Sequence, residues 1–496
     1  MRQATPTYEL LRAAFADADG DLPRYRVLYQ AIRESILGHR LPPGTRLPST
    51  RELARELGLS RNTVLSTFEG LLAEGFIHAR AGSGTYVAQA AAAPRPRGRA
   101  AAPGLERRPA AASAPALSQR GTRLAAFQGG RRFEIQPLGG GEVDFTTFPI
   151  KQWQRLQSRQ LRLARPELLD YAADGGHLPL RHAIADYVRV SRAVRVDVEQ
   201  VIVTAGTQHS LDLCAQLLAD AGDRVWVEDP CYWGARCIFD SCDLKVEPVA
   251  VDGDGMDPAN APGASRPRLI YLTPSNQYPT GVPMSLARRR AVLELAARER
   301  AWILEDDYDS ELRYSGRPLA SLQGLDTEQR VVYLGTFSKV LYPGIKIGYM
   351  VVPPPLVEPF RSALYDLQRP GQLTVQGALA EFMERGYFAT HIRRLRQAYA
   401  ETRALLIGAL EPALERGAWI SSQSAGLHLV VRLPDGWDDQ KLAEHAAAQG
   451  IRVSALSRYY IGPSRAAGLV VGFGYAPAAK VARAGRLLAQ VLRSAL

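Results

Sequence analysis

Between positions 21 and 88 apolar residues recur at helical spacing. Leu28, Ile32 and Ile36 stand four apart and predict an amphipathic helix from about Tyr25 to Leu37. LPPGTRLP then turns the chain. Ser49-Thr50-Arg51-Glu52 is a capping box, in which Ser49 caps the next helix and Glu52 reaches back to it. That helix is expected to run to about Leu57, with Gly58 ending it. Ser60 caps a third helix, whose inner face is expected to carry Val64, Leu65, Phe68, Leu71 and Leu72. The turn ELGLS between two short helices has helix-turn-helix geometry. FIHARAGSGTYV reads as a small hairpin with Ala81-Gly82-Ser83-Gly84 at its tip.

The pattern then lapses. Residues 88–120 hold 13 Ala and 5 Pro among 33 positions, with almost no large apolar side chain. Such a stretch buries too little surface to offset its ordering entropy, so a linker is expected over 89–120. From about 140 to 496 short apolar runs alternate with helical ones: VIVTAG (201–206), RVWVED (224–229), LIYLTP (269–274), WILEDD (302–307) and VVYLGT (331–336), with a helix from about Ser285 to Arg298. This alternation predicts an α/β domain on a mixed, largely parallel sheet. Sites in such domains gather beyond the carboxyl ends of strands. The polar groups fall there: Thr204 to Gln208, Glu305 to Tyr308 and Thr336 to Lys339.

Length supports at least two domains, since 496 residues exceed what one core usually holds. The net charge of +11 is uneven, because residues 1–120 carry 17 Arg, no Lys and 10 acidic residues, a balance of +7. An excess in a small segment suits a polyanion partner or a solvated basic face. The first twenty residues lack the charged and apolar regions of a secretory signal, and no apolar run approaches the roughly 20 residues of a membrane helix. A cytoplasmic protein without membrane partners is expected. The four cysteines show no C-x-x-C spacing and no accompanying His cluster, so ordinary thiols are expected rather than a metal site.

The third helix opens with Ser60-Arg61-Asn62-Thr63, and the first turn of a recognition helix is what reaches base edges. Arg61 suits guanine, Asn62 adenine, and the Thr63 methyl thymine. Arg46 and Arg51 suit phosphates, and Gly82 lets the hairpin tip approach a groove. LPSTRELARELGLSRNTVLSTFEGLLAEGFIHARAGSGTYV resembles the winged helix-turn-helix of GntR-type regulators, which implies double-stranded DNA as partner. A helical docking domain is the plainer alternative.

The chain uses 55 Arg and only 6 Lys, so a lysine marks a place where arginine does not serve. Lys339, in Gly335-Thr336-Phe337-Ser338-Lys339, is such a place, because a Schiff base needs an amine able to lose its proton. Asp306 can hold a pyridine nitrogen protonated, and Tyr308 can donate to a phenolic oxygen. A metal site or a solvated loop is the other reading of Glu305-Asp306-Asp307. Gly206-Thr207-Gln208 opens a helix directly after a strand, where backbone amides favour a phosphate. Thr336, Ser338 and Lys346 can complete that cup. Tyr232 can stack on a ring or simply pack in the core.

In order along the chain, TAGTQHSLDL, EDPCYWGAR, TPSNQYPTG, EDDYDSELRY, TFSKVLYPGIKIGY and ERGYFATHIRRLRQAY resemble fold-type I aminotransferases. Joined to the N-terminal motif, the chain resembles the MocR subfamily of GntR regulators. The resemblance implies an α/β large domain of fold-type I aminotransferase type behind a small winged helix-turn-helix. It also implies pyridoxal 5'-phosphate (PLP) bound as a Schiff base to Lys339, with Asp306 on its pyridine nitrogen and Tyr308 on its phenolic oxygen. A head-to-tail homodimer follows from the same resemblance. This chain departs from the family at Asn276, where His is usual, and at Lys346, where Arg is usual. Val470 stands where aminotransferases carry the arginine for the substrate carboxylate, leaving Arg236 or Arg458 to take that part. Two functions stay open: a PLP-dependent regulator sensing PLP, an amine or an amino acid through Lys339 without efficient turnover, and an active aminotransferase with an accessory DNA-binding domain. A large domain that only dimerises fits poorly with Lys339, Asp306 and Tyr308 all in place.

Overall fold

A computed structural model describes residues 23–89, 117–127 and 137–495, apart from 142, 164, 263–265, 317–318 and 422–424. The chain divides into two compact units, Met1–Ala114 and Pro115–Leu496. Most of the stretch expected as a linker lies outside the described residues. Its last two positions already belong to a helix, Gln119–Ala126, capped by Ser118.

The first unit is built as its apolar spacing predicts. Helices α1 (Arg24–Leu37), α2 (Thr50–Leu57) and α3 (Arg61–Ala73) precede a hairpin of β1 (Ile77–Arg80) and β2 (Gly84–Val87). The capping box forms in full, with Glu52 N donating to Ser49 Oγ at 3.2 Å and Ser49 N donating to Glu52 Oε2 at 3.1 Å. Gly58 ends α2 in the left-handed conformation at φ 63°. The core joins Leu28, Ile32 and Ile36 to Leu53, Val64, Phe68, Leu71, Ile77 and Val87. Each such burial contributes about 1.5–3 kcal/mol, so this small unit leans on nearly all of them.

One expectation fails here. Leu65 and Leu72 are 43% and 39% exposed, although a place on the inner face of α3 was expected for both. At 100° per residue they project about a quarter turn past the stripe of Val64, Phe68 and Leu71. Thr67 takes the inward place instead, its hydroxyl donating to the carbonyl of Tyr25 at 3.0 Å and so tying α3 to α1.

The second unit carries β3 (Val201–Thr204), β4 (Arg224–Asp229), β5 (Lys245–Asp252), β6 (Gly255–Met256), β7 (Leu269–Leu272), β8 (Trp302–Asp307), β9 (Val331–Thr336) and β10 (Gly348–Val351). They form one sheet in the order β3-β10-β9-β8-β7-β4-β5-β6. The neighbours from β9 through β5 run parallel, while β10 is antiparallel to both β3 and β9. β7 to β9 are buried at every position or nearly so, as strands covered on both faces must be. The helix expected near Ser285 runs from Leu286 to Glu299 with Ser285 as its cap.

A smaller antiparallel sheet follows: β11 (Trp419–Ile420), β12 (His428–Arg432), β13 (Ser454–Ala455) and β14 (Gly468–Gly472), in the order β11-β12-β14-β13. Val470 on β14 is paired with Val430 on one side and Ser454 on the other.

Candidate cofactor cavity and DNA-binding face

The carboxyl ends of β3, β4, β7, β8 and β9 open into a cavity of about 490 Å³. Strand pleating explains which acids reach it. Successive side chains on β8 point to opposite faces. Glu305 turns away and accepts the backbone amides of Leu322 and Gln323 at 2.7 and 2.8 Å. Asp307 also turns away and pairs with the Arg192 guanidinium at 2.6 Å. Between them Asp306 faces the cavity, as does Tyr308 just past the strand end. The Glu-Asp-Asp run is therefore split between two structural anchors and one group aimed at the cavity. No cluster of three or more metal-ligating side chains occurs among the described residues.

Asp306 is 4% exposed. Its Oδ2 accepts the Tyr271 hydroxyl at 2.8 Å, and its Oδ1 has no hydrogen-bond partner. Burial pushes its carboxyl up to about 7, helped by Asp307 and opposed by the Tyr271 hydrogen bond and by Lys339. Such a group is held ready for a cation or a protonated ring nitrogen. Lys339 follows β9 and lines the same cavity, with Nζ donating to the carbonyl of Gly141 at 2.7 Å.

Beside Asp306, Tyr308 and Asn276 are locked together. The Tyr308 hydroxyl donates to the Asn276 carbonyl at 3.0 Å, while Asn276 Nδ2 donates to the Tyr308 oxygen at 3.1 Å and to Asp309 Oδ2 at 2.8 Å. Burial pushes the Asp309 carboxyl well above the usual range. Asn276 thus orients Tyr308 from behind and is not itself among the cavity-lining residues.

At the other end, the helix Thr207–Leu218 starts at Gly206 with φ 101° and no side-chain cap. A glycine is required at that angle, and the chain comes so close that a Cβ on Gly348 would stand 2.7 Å from Gly206 Cα. The uncapped amides of this helix end favour an anion. Gly206, Thr207, Gln208, Thr336, Ser338 and Lys346 all line the cavity. Lys346 takes the left-handed conformation at φ 50°. Tyr232 lines the wall and packs edge-on to Tyr278, with ring centroids 5.8 Å apart.

A lysine amine, a buried carboxylate with one unpaired oxygen and an uncapped helix start, with Lys346 lining the same cavity, fit the pyridine ring and phosphate of PLP.

Several cavity residues carried no earlier expectation. Tyr278 and Tyr459 face it, as do His428 and Arg452. His428 Nε2 donates to the carbonyl of Pro279 at 2.8 Å, and burial lowers its pKa to about 4, so it is neutral. Arg236 and Arg458, the two arginines expected to serve in place of one at Val470, are not among the lining residues. Arg458 is exposed on a short turn, and Arg236 lies on the helix Trp233–Ser241. Val470 is fully buried against Val430 and Leu456.

On the first unit, Arg46, Arg51, Arg61, Asn62 and Gly82 are exposed, and Thr63 is half-buried. Ser60 Oγ accepts the Thr63 amide at 3.1 Å, which sets Arg61, Asn62 and Thr63 in the first turn of α3. Arg46 lies against the hairpin, where a Cβ on Gly84 would come within 3.1 Å of its Nε.

Comparison with known proteins gives both units a place. Residues 24–87 match the bacterial regulatory proteins of the gntR family, and residues 135–466 match the class I and II aminotransferases. The probable rhizopine catabolism regulatory protein MocR of Rhizobium meliloti is 41% identical over 92% of this chain and 91% of its own. The chain belongs to the MocR subfamily of GntR-type transcription regulators.

Another relative, the pyridoxine biosynthesis transcriptional regulator PdxR of Corynebacterium glutamicum, is 31% identical over 90% of this chain and 91% of its own. Among solved structures, an archaeal alanine:glyoxylate aminotransferase superposes with a TM-score of 0.68 at 27% identity, covering 73% of this chain and 92% of that one. The kynurenine aminotransferase of Pyrococcus horikoshii gives 0.67 at 27% identity over 76% and 93%. This MocR-type regulator therefore joins a DNA-binding winged helix-turn-helix to a PLP domain of the fold-type I aminotransferase class. No helix among its described residues is long and apolar enough to cross a membrane.

Proposed function

We propose that the large domain holds PLP through Lys339 as a sensor, and that an amine or amino-acid effector, or PLP itself, adjusts how the DNA-binding unit engages its site. The observation that carries this reading is Asp306, a buried carboxylate with one unpaired oxygen that lines the same cavity as Lys339, in a chain whose first unit carries a helix suited to reading DNA. The cofactor, when bound, supplies an electrophilic carbon and an electron sink for amine chemistry. Asp306 would pair with the ring nitrogen, and Tyr308, oriented by Asn276, would donate to the phenolic oxygen. The uncapped amides at Gly206, Thr207 and Gln208, with Thr336, Ser338 and Lys346, would hold the phosphate. Tyr232 would bound the ring. In the DNA-binding unit Arg61, Asn62 and Thr63 read bases, Arg46 and Arg51 contact phosphates, and Gly82 admits the hairpin tip to a groove. The working form is a cytoplasmic head-to-tail homodimer, so that a palindromic DNA site meets two recognition helices.

Val470 supports sensing over turnover. Repeated transamination demands that a substrate carboxylate be held in fixed geometry, and a bidentate arginine is the usual means. A ligand shifts the equilibrium between DNA-binding arrangements only if it binds them unequally. The test pairs steady-state transamination over a panel of amino acids with DNA binding by cofactor-free and cofactor-loaded protein. Slow half-reactions and a change in DNA affinity or bending are expected. Turnover near about 10 s⁻¹, with DNA binding indifferent to cofactor and amines, overturns the reading.

A further inference from the structure

Tyr308 has a single proton to give, and other groups around it compete for that proton. A hydroxyl donates once and accepts twice. Here it donates to the backbone carbonyl of Asn276 at 3.0 Å and accepts Asn276 Nδ2 at 3.1 Å. To donate into the cavity it must turn away from that carbonyl. What opposes the turn depends on the Asn276 amide, whose two ends are alike in shape and opposite in role. With Nδ2 forward, the Tyr308 oxygen keeps a donor behind it, and only the backbone carbonyl rivals the cavity for the proton. With Oδ1 forward, a second acceptor would compete.

Asp309 selects between the two. Its Oδ2 accepts the same Nδ2 at 2.8 Å. Oδ1 in that place would set acceptor against acceptor, so the pairing keeps the nitrogen forward. Even with a proton on its other oxygen, Asp309 offers Oδ2 as an acceptor. Asp309 and Asn276 are 1% and 3% exposed, which keeps bulk water from replacing either partner. The chain makes room for the pair at Gly426, which has φ 87°. A Cβ there would stand 2.7 Å from Asn276 Nδ2 and 3.0 Å from Asp309 Oδ2, so any side chain at 426 would press on both. Asp307 and Glu311 disfavour the ionised form of Asp309, and Lys339 favours it. Tyr308 in turn feels Asp309, Tyr278, Asp306 and Glu228.

Resting on the cofactor reading above, we propose that Asp309 is a positioning residue, which holds the Asn276 amide nitrogen toward Tyr308 and so keeps the Tyr308 proton available to the phenolic oxygen of PLP. It acts through Asn276 and Tyr308. A hydrogen bond to the phenolic oxygen draws negative charge from it, which makes the nitrogen joining PLP to Lys339 a weaker base. When the bond is lost, that nitrogen keeps its proton to higher pH.

The test is a pH titration of PLP-loaded full-length protein, following the cofactor's absorption band. Asp309→Leu should raise the midpoint by about one pH unit, as expected for one lost hydrogen bond to a charged group. Asp309→Asn retains an acceptor for Nδ2 and should recover most of the wild-type midpoint. Tyr308→Phe should raise the midpoint as well, and adding Asp309→Leu to it should change nothing further, because the two act in series. Asn276→Leu breaks the same chain in its middle and should shift the midpoint in the same direction, which keeps the test open where Asp309→Leu does not fold. A band that follows the wild-type pH course in Asp309→Leu, or in Asn276→Leu where that variant stands in, overturns the proposal. So does a shift that persists in full on the Tyr308→Phe background, since Asp309 would then act without Tyr308. If Asp309→Asn shifts as far as Asp309→Leu, charge and not acceptor geometry is at work, and the proposal falls. A wild-type chain that takes up no PLP instead overturns the cofactor reading itself. Normal band shifts in a protein whose DNA binding ignores PLP and amines count against sensing alone and leave the part of Asp309 supported.

Discussion

The recognition helix and the cofactor cavity use the same kinds of side chain under opposite conditions. Arg61 and Asn62 stand in water, where charge acts at range and is screened by salt. Asp306 stands 4% exposed with an unpaired oxygen, where burial, helped by Asp307, raises its pKa to about 7. The first unit is organised to display charge, and its folding depends on caps and a small apolar core beneath. The second is organised to withhold water from a few charges, and it surrounds them with strands buried on both faces. Substitutions at one should therefore alter affinity by increments, and at the other should switch a state on or off.

The sharpest break in that comparison is Lys339→Ala. Full-length protein should take up PLP with an absorption band that borohydride reduces, and the substitution should abolish it outright. Arg61→Ala in the same experiment should leave the band as it is. A variant at Lys339 that still yields a reducible band would move the anchor elsewhere.

Asp306→Asn should invert its effect with the cofactor's presence. In cofactor-free protein the wild-type carboxyl titrates at about 7 when folded against an ordinary value of 3.8. Below about pH 4 both states hold the proton and burial of the acid costs nothing. As pH rises from there to about 7 the unfolded chain gives up its proton first, so stability falls, and above 7 the loss is constant at a few kcal/mol. Asn has no such term. Cofactor-free Asp306→Asn is expected to melt above wild type at pH 8, with the gap closing as pH falls through 7 toward 4. With PLP present the order reverses, because the ring nitrogen loses its partner. Thermal melts at several pH values, with and without PLP, check both signs. A gap independent of pH would mean that burial of this acid does not govern the site.

How much of this was legible in sequence differs between the regions. Ser49, Glu52, Gly58 and Ser60 act through bonds to residues within four positions, so their roles could be read locally, and each stands as expected. Lys339, Asp306 and Tyr308 could be placed together because each stands in or just past the carboxyl end of an apolar strand, and strand ends converge. Leu65 and Leu72 misled because an apolar residue near a helical stripe need not lie on it. Arg452 and His428 escaped notice for another reason. His428 opens β12 and Arg452 stands just before β13, in a small sheet whose outer strands, Trp419–Ile420 and Ser454–Ala455, are only two residues long, too short for alternation to mark the sheet in the sequence. The one available signal was Arg452 and Ser454 two apart beside a strand that carries Val470. Arg236 and Arg458, named to stand in for an arginine at Val470, are not among the residues lining the cavity, whereas Arg452 is.

The smallest expected effects separate two kinds of arginine on the DNA-binding unit. Arg61 lies in the first turn of α3, set there by the Ser60 cap, where a guanidinium can meet the two acceptors of a guanine edge. Arg61→Ala should cost about 1–3 kcal/mol at the cognate site and relax preference at one base pair. Arg46 belongs to the hairpin side, bridged through its backbone to Tyr86 and packed over Gly84. A cation so placed meets phosphates, which are the same at every sequence. Arg46→Ala should therefore weaken binding to cognate and unrelated DNA alike, and should reduce the slope of log affinity against log salt by about one. Measuring both variants over a salt series on cognate and scrambled duplexes separates the roles. If Arg46→Ala changes base preference while leaving the salt slope alone, the hairpin reads sequence, and the division between a reading helix and a positioning wing does not hold.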